Sequence, residues 1–336
     1  MNITTLSCMR SLKKNNKEYN IMTTDISIVV PIYNEEKNIP ILYERLKNAA
    51  SSISANHELI FVNDGSKDTS FLELMKLAEM DERVFYINFS RNFGHQIAVT
   101  AGLDYSKGEA VVIIDGDLQD PPELIPELYA KYKEGYEVVY AQRSKRKGES
   151  WFKKMSAKWF YRILRKMTHI NIPVDTGDFR LIDRKVVDCL KQMPEQNKFL
   201  RGQIAWIGFR QTAVHFERQE RIHGKTNYPF SKMLKLALDG ITSFSDKPLA
   251  FVTRMGLFIS VISFLIILYA IFSHFVFDKT IQGWTSLIIS SMFIGGIQLI
   301  SIGIIGEYVN RINKNILNRP LYIVGQTNIE KNITSS

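Results

Sequence analysis

Ala110–Pro122 reads AVVIIDGDLQDPP, an apolar run that delivers a cluster of acids and stops at two prolines. Ala110 to Ile114 has no polar alternation, which is the pattern of a strand buried on both faces in the middle of a mainly parallel sheet. Ligands of such sheets bind at the carboxyl ends of the strands. Asp115 and Asp117 stand two residues apart, so an extended stretch points both carboxylates the same way, and Gly116 between them lets another group come close. Two converging carboxylates call for a cation. With Gln119 as a third oxygen ligand, the set suits Mg²⁺ or Mn²⁺ carrying a phosphorylated substrate better than it suits zinc. A bare Asp-x-Asp is also common in acidic surface turns; the buried strand in front of it favours a site.

Working outward from this stretch, the same grammar repeats. Ile26–Val30 reads as an apolar strand that breaks at Pro31 into Tyr33, Asn34, Glu35 and Glu36, and Ile39, Leu42, Leu46 and Ile53 then fall on helical spacing. Glu58–Val62 is a short strand ending in Asn63, Asp64, Gly65 and Ser66, and Asp68 is placed to cap a helix over Thr69–Met80. Val84–Phe89 is a third strand, followed by Ser-Arg-Asn-Phe-Gly-His and a helix through Ala98 and Leu103. After the Ala110 strand comes a helix over Pro122–Glu134, opened by proline, and a strand over Glu137–Ala141. Strands alternating with helices predict an α/β fold built on a Rossmann-like parallel sheet, with polar loops gathered on one edge.

The 336 residues, 45% hydrophobic, are enough for one large domain or two ordinary ones. A net charge of +9 points to an anionic partner, and its location decides which. Cys8 and Cys189 are too few for a disulfide scaffold or a zinc site, in keeping with a reducing compartment. The first 24 residues have no apolar core of signal-peptide length and read as a flexible tail; a start at Met22 would lose no predicted element. From Arg143 to Lys166, ten Lys or Arg stand against the single acid Glu149, interleaved with Trp151, Phe152, Trp159, Phe160 and Tyr161. Such a basic, aromatic helix suits the headgroups of an anionic bilayer, and single-stranded nucleic acid favours the same ingredients. The C-terminal third chooses the bilayer. Met255–Phe277 and Thr285–Gly306 are runs of 23 and 22 residues free of Asp, Glu, Lys and Arg, each long enough at about 1.5 Å per residue to cross a hydrocarbon core of roughly 30 Å. Lys247 and Arg254 precede the first run and Arg311, Lys314 and Arg319 follow the second, so the positive-inside rule puts both termini in the cytoplasm. Phe230–Phe244 reads as a helix lying on the membrane. The resulting organisation is a tail over 1–24, a cytoplasmic domain over 25–229, an interface helix and linker over 230–250, two transmembrane helices within 251–308 and a cytoplasmic tail over 309–336.

The motifs VVPIYNEE, VNDGSKD, SRNFGHQ, IDGDLQDPP, DTGDFRL, FLRG and RIHGKTNY, followed by two spans, resemble a polyprenyl-phosphate glycosyltransferase of glycosyltransferase family 2. The pattern is most similar to the bactoprenol glucosyltransferases, with dolichyl-phosphate mannose synthases further off. It covers about Asp25 to Asn310, and its specificity lies in order and spacing. The resemblance implies a GT-A domain that uses a nucleotide sugar and a divalent cation, Mg²⁺ or Mn²⁺, to glycosylate a lipid phosphate at the cytoplasmic membrane. It implies glucose from UDP-glucose as donor, with mannose or an aminosugar from another nucleotide sugar as the alternative, undecaprenyl phosphate as acceptor, no nucleic acid, and a lipid bilayer as partner. Ser286, Ser290 and Gly295 in the second run would allow helix packing in a homo-oligomer.

Carried over position by position, the resemblance implies that Pro31, Tyr33 and Glu35 line the nucleotide pocket and that Asp64 accepts a hydrogen bond from the base. Asp115 would face the ribose and metal region, Asp117 and Gln119 would hold the metal, and Arg221 would grip the donor phosphates. The late loop departs from the family's Gly-x-Ser-Lys-Tyr: Gly224-Lys225-Thr226-Asn227-Tyr228 puts Asn227 where the family has lysine, and Lys225 is the nearby cation that could replace it. Asp178 is the implied catalytic carboxylate. A lipid phosphate is already largely ionised near neutral pH, so Asp178 has two readings, a general base or an orienting and electrostatic group; a capping carboxylate beside Gly177 is the bland third. Arg143, at the end of the Glu137 strand, is placed to bind the acceptor phosphate. His95, His169, His215 and His223 lack metal-ligand spacing and read as ordinary loop or surface residues. A processive polysaccharide synthase fits less well with only two spans, and a silent scaffold would have no need of Asp117, Gln119, Asp178 and Arg221 together.

Overall fold

The computed structural model describes residues 24–143, 176–216 and 283–329, with scattered helical positions between 249 and 272. The apolar runs become strands and the periodic segments become helices in alternation: β1 Ile26–Ile32, α1 Ile39–Ser51, β2 His57–Asn63, α2 Ser70–Met80, β3 Val84–Phe89, α3 His95–Tyr105 and β4 Ala110–Ile113. A short 3₁₀ turn at Pro122–Leu124 leads into α4 Ile125–Lys133, then β5 Val138–Arg143. After the undescribed stretch come β6 Thr176–Asp183, α5 Arg184–Lys191, α6 Leu200–Ile207 and β7 Gln211–Phe216, and later α7 Trp284–Ile316 and β8 Val324–Thr327.

The eight strands form one sheet in the order β7-β5-β6-β4-β1-β2-β3-β8. Four of its seven pairings are parallel, β1 with β2, β1 with β4, β2 with β3 and β5 with β7. β1, β2 and β4 are buried along their whole length, as central strands covered on both faces must be. Side-chain alternation divides the core. Ile28, Val30, Phe61 and Val112 pack with Ile39, Leu42 and Leu46 of α1, Leu74 of α2 and Ile125 and Leu128 of α4. Val29, Ile60, Val62 and Val111 face the other way, against Ala98, Val99 and Leu103 of α3 and Val186, Val187 and Ile204 of α5 and α6. The result is a three-layer α/β/α domain of the GT-A kind.

Pro31 does not break β1; it pairs opposite Val62 inside the strand. The backbone of Val29 faces β4, where its carbonyl accepts from the Ile114 N–H at 3.1 Å, and Pro31, two residues on, faces the same way beyond the last β4 pairing. A residue without an N–H therefore leaves no ladder bond unmade there. The helix α2 starts one residue later than expected, with Thr69 and not Asp68 at its N-cap; Asp68, one residue before the cap, accepts from the Ser70 N–H through Oδ1 at 3.0 Å.

Two elements depart from a purely alternating α/β pattern. β6 runs antiparallel between β4 and β5, and β8 pairs antiparallel with β3 at the far edge. The segment read from sequence as a C-terminal tail thus contributes a strand to the sheet. A second compact unit contains α7, 33 residues long, of which Phe293–Ile316 has the length and mean hydropathy, 1.3, to cross a membrane. Its apolar side chains, Leu287, Phe293, Leu299 and Ile302 among them, are exposed. Among the described residues this is the one such helix; most of the Met255–Phe277 run and the expected basic helix at 143–166 and interface helix at 230–244 lie outside them.

Candidate active site

The reversed direction of β6 builds the site. Parallel strands β1 to β4 all end on one edge, and an antiparallel neighbour must begin there. β4 and β6 pair Ala110 with Asp183 and Ile113 with Arg180. Continuing that register two residues past the ladder sets Asp115 opposite Asp178, and directly opposed residues bring their Cβ atoms within about 5 Å. The side chains bear this out: His95 Nε2 and one carboxylate oxygen from each of Asp115 and Asp178 lie within 4.8 Å of one another. His95 arrives from the third direction as the first residue of α3, following β3.

Asp178 is buried, 7% exposed, and its carboxylate is held from several sides. Oδ1 accepts from Arg201 Nε at 2.7 Å; Oδ2 accepts from Gln96 Nε2 at 3.0 Å and lies 2.9 Å from His95 Nε2. Gln96 also accepts from the Leu200 N–H at 3.1 Å, which ties the start of α3 to the start of α6, the helix carrying Arg201. Arg180, itself buried, donates to the backbone oxygens of Gly177 and Asp178 at 2.9 and 3.3 Å. Burial alone would push the Asp178 carboxyl up, but the Arg201 charge and the His95 contact outweigh it and hold the group well below the ordinary carboxylate range. Burial likewise works against charge on His95. The Asp115 charge 3.5 Å away and the bond to Asp178 prevail, lifting the imidazole to about 9, although the ring keeps 44% of its surface open. At neutral pH His95 is a cation between two acids. Asp115 behaves oppositely: burial raises its carboxyl, and the nearby Asp178 and Asp117 charges add to the rise against the pull of His95.

The loops after β1, β2 and β3 are locked together. Asn34, at φ 56°, donates its N–H to Ser66 Oγ at 3.0 Å and accepts from the Lys67 N–H at 2.8 Å; the Glu35 N–H donates to Ser70 Oγ at 2.9 Å, and Glu36 accepts from Thr69 Oγ1 at 2.6 Å. Tyr33 is left 44% exposed beside this lattice. The Glu35 carboxylate accepts from Asn38 Nδ2. Asp64, 3% exposed, accepts from the backbone N–H groups of Phe93 and Gly94 at 2.6 and 2.9 Å and from Asn92 Nδ2 at 2.9 Å, so its carboxylate organises the loop before α3. Gly65 makes this approach feasible: it sits at φ +65°, and a Cβ there would stand 2.5 Å from the Arg91 carbonyl carbon. Gly116 does the same for β1, since its Cβ would meet Ile32 Cδ1 at 2.7 Å and the Pro31 carbonyl oxygen at 3.1 Å. Asp117, half-buried, accepts from the Gln119 N–H at 3.1 Å, which closes the acid loop into a tight turn through Leu118 at φ 58°.

A divalent cation fits these residues. Asp115 Oδ1 is buried and accepts no hydrogen bond among the described residues, its charged neighbour being His95 Nε2 at 3.5 Å, and a desolvated carboxylate oxygen beside a second acid is hard-cation chemistry. The ligand atoms that meet within 4.8 Å are those of His95, Asp115 and Asp178, and a cation bound there would compete with the imidazolium for the two acids. Asp115, Asp117 and Gln119 are the oxygen donors that could hold such an ion.

Asp115 and Asp178 are thus brought together, with Pro31 against Gly116 in the same edge. Arg143 ends β5 near Gly177, with Nη2 3.9 Å from the buried Asp120. Arg221 and Lys225 lie outside the described residues. Three side chains that meet the Asp178 carboxylate escaped the sequence reading. His95 is no ordinary loop histidine but bridges the two acids, because α3 starts on the edge where β4 and β6 converge. Gln96 and Arg201 were visible only inside the SRNFGHQ and FLRG motifs, whose meeting depends on the placement of α6.

Residues 27–191 match the family model described as glycosyl transferase family 2. An uncharacterised glycosyltransferase of Bacillus subtilis (strain 168) is 55% identical over 89% of this chain and 92% of its own. A prophage-derived bactoprenol glucosyl transferase of Shigella flexneri is 42% identical over 89% of this chain and 97% of its own, and a prophage bactoprenol glucosyl transferase homologue of Escherichia coli (strain K12) is 42% identical over 89% and 98%. With a GT-A sheet and an acid pair at its carboxyl edge, the protein is a glycosyltransferase. The chain belongs to glycosyltransferase family 2.

Proposed function

We propose that this protein transfers a single hexose, glucose from UDP-glucose, onto undecaprenyl phosphate with inversion at the anomeric carbon, at the cytoplasmic face of the membrane. The observation that carries this reading is the Asp178 carboxylate, kept ionised and fixed at both oxygens, facing the metal-type acid loop across the strand edge. The relatives named for bactoprenol, 42% identical over nearly their full length, support a polyprenyl phosphate as acceptor and glucose as the sugar.

Tyr33, Pro31 and Glu35 are assigned to the nucleotide pocket, with Asp64 contributing through the loop it organises. Asp117 and Gln119 would hold Mg²⁺ or Mn²⁺, with Asp115 facing the ribose and metal region; when bound, the ion would offset the charge that gathers on the departing diphosphate. Arg221 and Lys225 are assigned to the donor phosphates and Arg143 to the acceptor phosphate. A carboxylate that accepts from Arg201 and Gln96 and faces a cationic His95 is a weak base, so Asp178 orients the acceptor and stabilises positive charge at the anomeric carbon. The acceptor phosphate supplies its own anionic oxygen, which forms the new bond as the diphosphate leaves. No proton has to move.

The membrane assignment draws on two features. Phe293–Ile316 is long and apolar enough to span. Residues Val324–Thr327 belong to the same sheet as Phe216, which supports an even number of crossings between them and so a second span over Met255–Phe277; the Lys and Arg flanking the two runs favour the cytoplasmic side for the catalytic domain and both termini. Incubating the purified full chain with labelled nucleotide sugars, polyprenyl phosphate and Mg²⁺ tests the reading: label should enter the lipid from UDP-glucose in preference to UDP-N-acetylglucosamine or GDP-mannose.

A further inference from the structure

We propose that the C-terminal segment Tyr322–Ile329 is a positioning element of the active site, acting through Tyr322 on the loop and helix that carry His95 and Gln96. Its catalytic consequence rests on the glycosyltransferase reading above. The segment is pinned along β3 by more than strand pairing. Asn328 Oδ1 accepts from the Tyr86 N–H at 2.8 Å while its Nδ2 donates to the Val84 carbonyl at 3.0 Å; Thr327 Oγ1 donates to the Tyr86 carbonyl at 2.7 Å, and Ile329 is buried. At the other end the Ser90 N–H, the first of the loop, donates to the Ile323 carbonyl at 3.0 Å.

Tyr322 then grips both ends of the element that matters. Its ring stacks on Phe89 at 5.2 Å and 20°, and Phe89 meets Phe93 edge-on at 5.6 Å and 83°. Phe93 is the residue whose N–H is held by Asp64, one step before Gly94 and two before His95. The Tyr322 hydroxyl donates to Asp104 Oδ2 at 2.9 Å, near the last turn of the same helix α3 that begins with His95 and Gln96. One phenol therefore fixes the strand that feeds the loop and the far end of a helix about 16 Å long. Asp64 clamps that loop from the sheet side and Tyr322 from the edge. Asp178 depends on the outcome, because His95 and Gln96 meet its Oδ2.

A plain edge cover would also protect β3 from unwanted pairing, and it makes a different prediction. Losing a cover lowers stability and leaves turnover per folded molecule intact, whereas losing a positioning element lowers kcat in molecules that are folded. The test uses the full chain in vesicles, with Tyr322→Leu, which keeps apolar bulk without the stack or the hydroxyl, beside Tyr322→Ala and Tyr322→Phe. Leu46→Ala in α1, buried in the core on the other face of the sheet from the cluster that holds Tyr322, serves as a control for destabilisation alone. Tyr322→Leu should lower kcat by about tenfold or more with the KM for nucleotide sugar changed by less than about threefold, as small misplacements of a catalytic constellation do. Amide hydrogens of residues 90–96 should exchange about tenfold faster, Tyr322→Phe, which keeps the stack on Phe89 and loses the bond to Asp104, should fall between Tyr322→Leu and the wild type, and Leu46→Ala should keep kcat below its melting temperature. Wild-type kcat in Tyr322→Leu, or unchanged exchange at 90–96, overturns the proposal. Should the wild-type chain transfer no sugar from any donor, the functional reading fails by itself, and the exchange measurement alone decides whether the strap holds the loop.

Discussion

Asp178 accepts at both carboxylate oxygens and sits beside a cationic imidazole, an arrangement that stabilises its charged form and leaves little reason for it to take up a proton. Asp178→Asn keeps the shape and removes the charge. If the carboxylate orients, this variant should retain measurable transfer that improves as pH rises through the acceptor phosphate's second ionisation, near ~6; a general base predicts no turnover at any pH with donor and acceptor still bound. Arg201→Ala strips the partner at 2.7 Å and should lower kcat on the order of a hundredfold, with Arg201→Lys recovering part of it, read from initial rates with saturating donor. His95 gives a pH signature. Its folded pKa of about 9 lies above its ordinary value, so the stability it contributes is complete below pH ~6.5 and is lost as pH rises through about 9. Thermal midpoints of the wild type should therefore fall across that window by more than those of His95→Asn, and parallel curves would remove His95 from the charge network.

At the scale of elements, the site depends on loops that touch backbone to backbone. Gly65→Ala would force a Cβ to within 2.5 Å of the Arg91 carbonyl carbon at a positive φ, a clash with main chain that no rotamer relieves. It should cost about 2 kcal/mol or more and disturb the loop before α3, seen as a lowered urea midpoint together with weaker nucleotide binding. Unchanged binding and stability would show that the two loops can part. The parallel core was legible in the sequence because burial on both faces writes uninterrupted apolar runs, as in Ala110–Ile114, and because acids and glycines cluster where such strands end. β6 was not legible as a strand. TGDFRLID mixes charged and apolar residues, since Asp178 is buried against Arg201, Gln96 and His95 and Arg180 against the carbonyls of Gly177 and Asp178, and pattern reading treats such residues as exposed. The same blindness hid His95: nothing in local spacing reveals that α3 starts where an antiparallel strand begins, so the meeting of His95 with Asp178 is a property of sheet order. β8, four residues long, is too short to carry a periodic signal and is set by Asn328 and Tyr322, whose partners lie more than two hundred residues earlier.

For the whole molecule, the unit that contains the sheet is built from segments on both sides of the unit that contains α7, with β8 coming from the later segment. A chain cut after Tyr228 would lose β8 and open the β3 edge. Joining residues 1–229 to 320–336 through a flexible Gly/Ser linker should restore the edge, bind nucleotide like the full chain, and lose most transfer to long polyprenyl phosphate while keeping more with a short, soluble analogue. Equal transfer to both acceptors would show that the unit containing Phe293–Ile316 is dispensable. Chelation bears on the acid loop: EDTA should abolish transfer, Mg²⁺ or Mn²⁺ should restore it, and Asp117→Ala should lose activity without unfolding. The most direct test of the central claim is label transfer by the purified full chain from UDP-glucose to undecaprenyl phosphate in vesicles with Mg²⁺. The account predicts a lipid-linked glucose that forms with the wild type and is lost in Asp117→Ala; no labelled lipid from any nucleotide sugar, with UDP-glucose still bound, would contradict it.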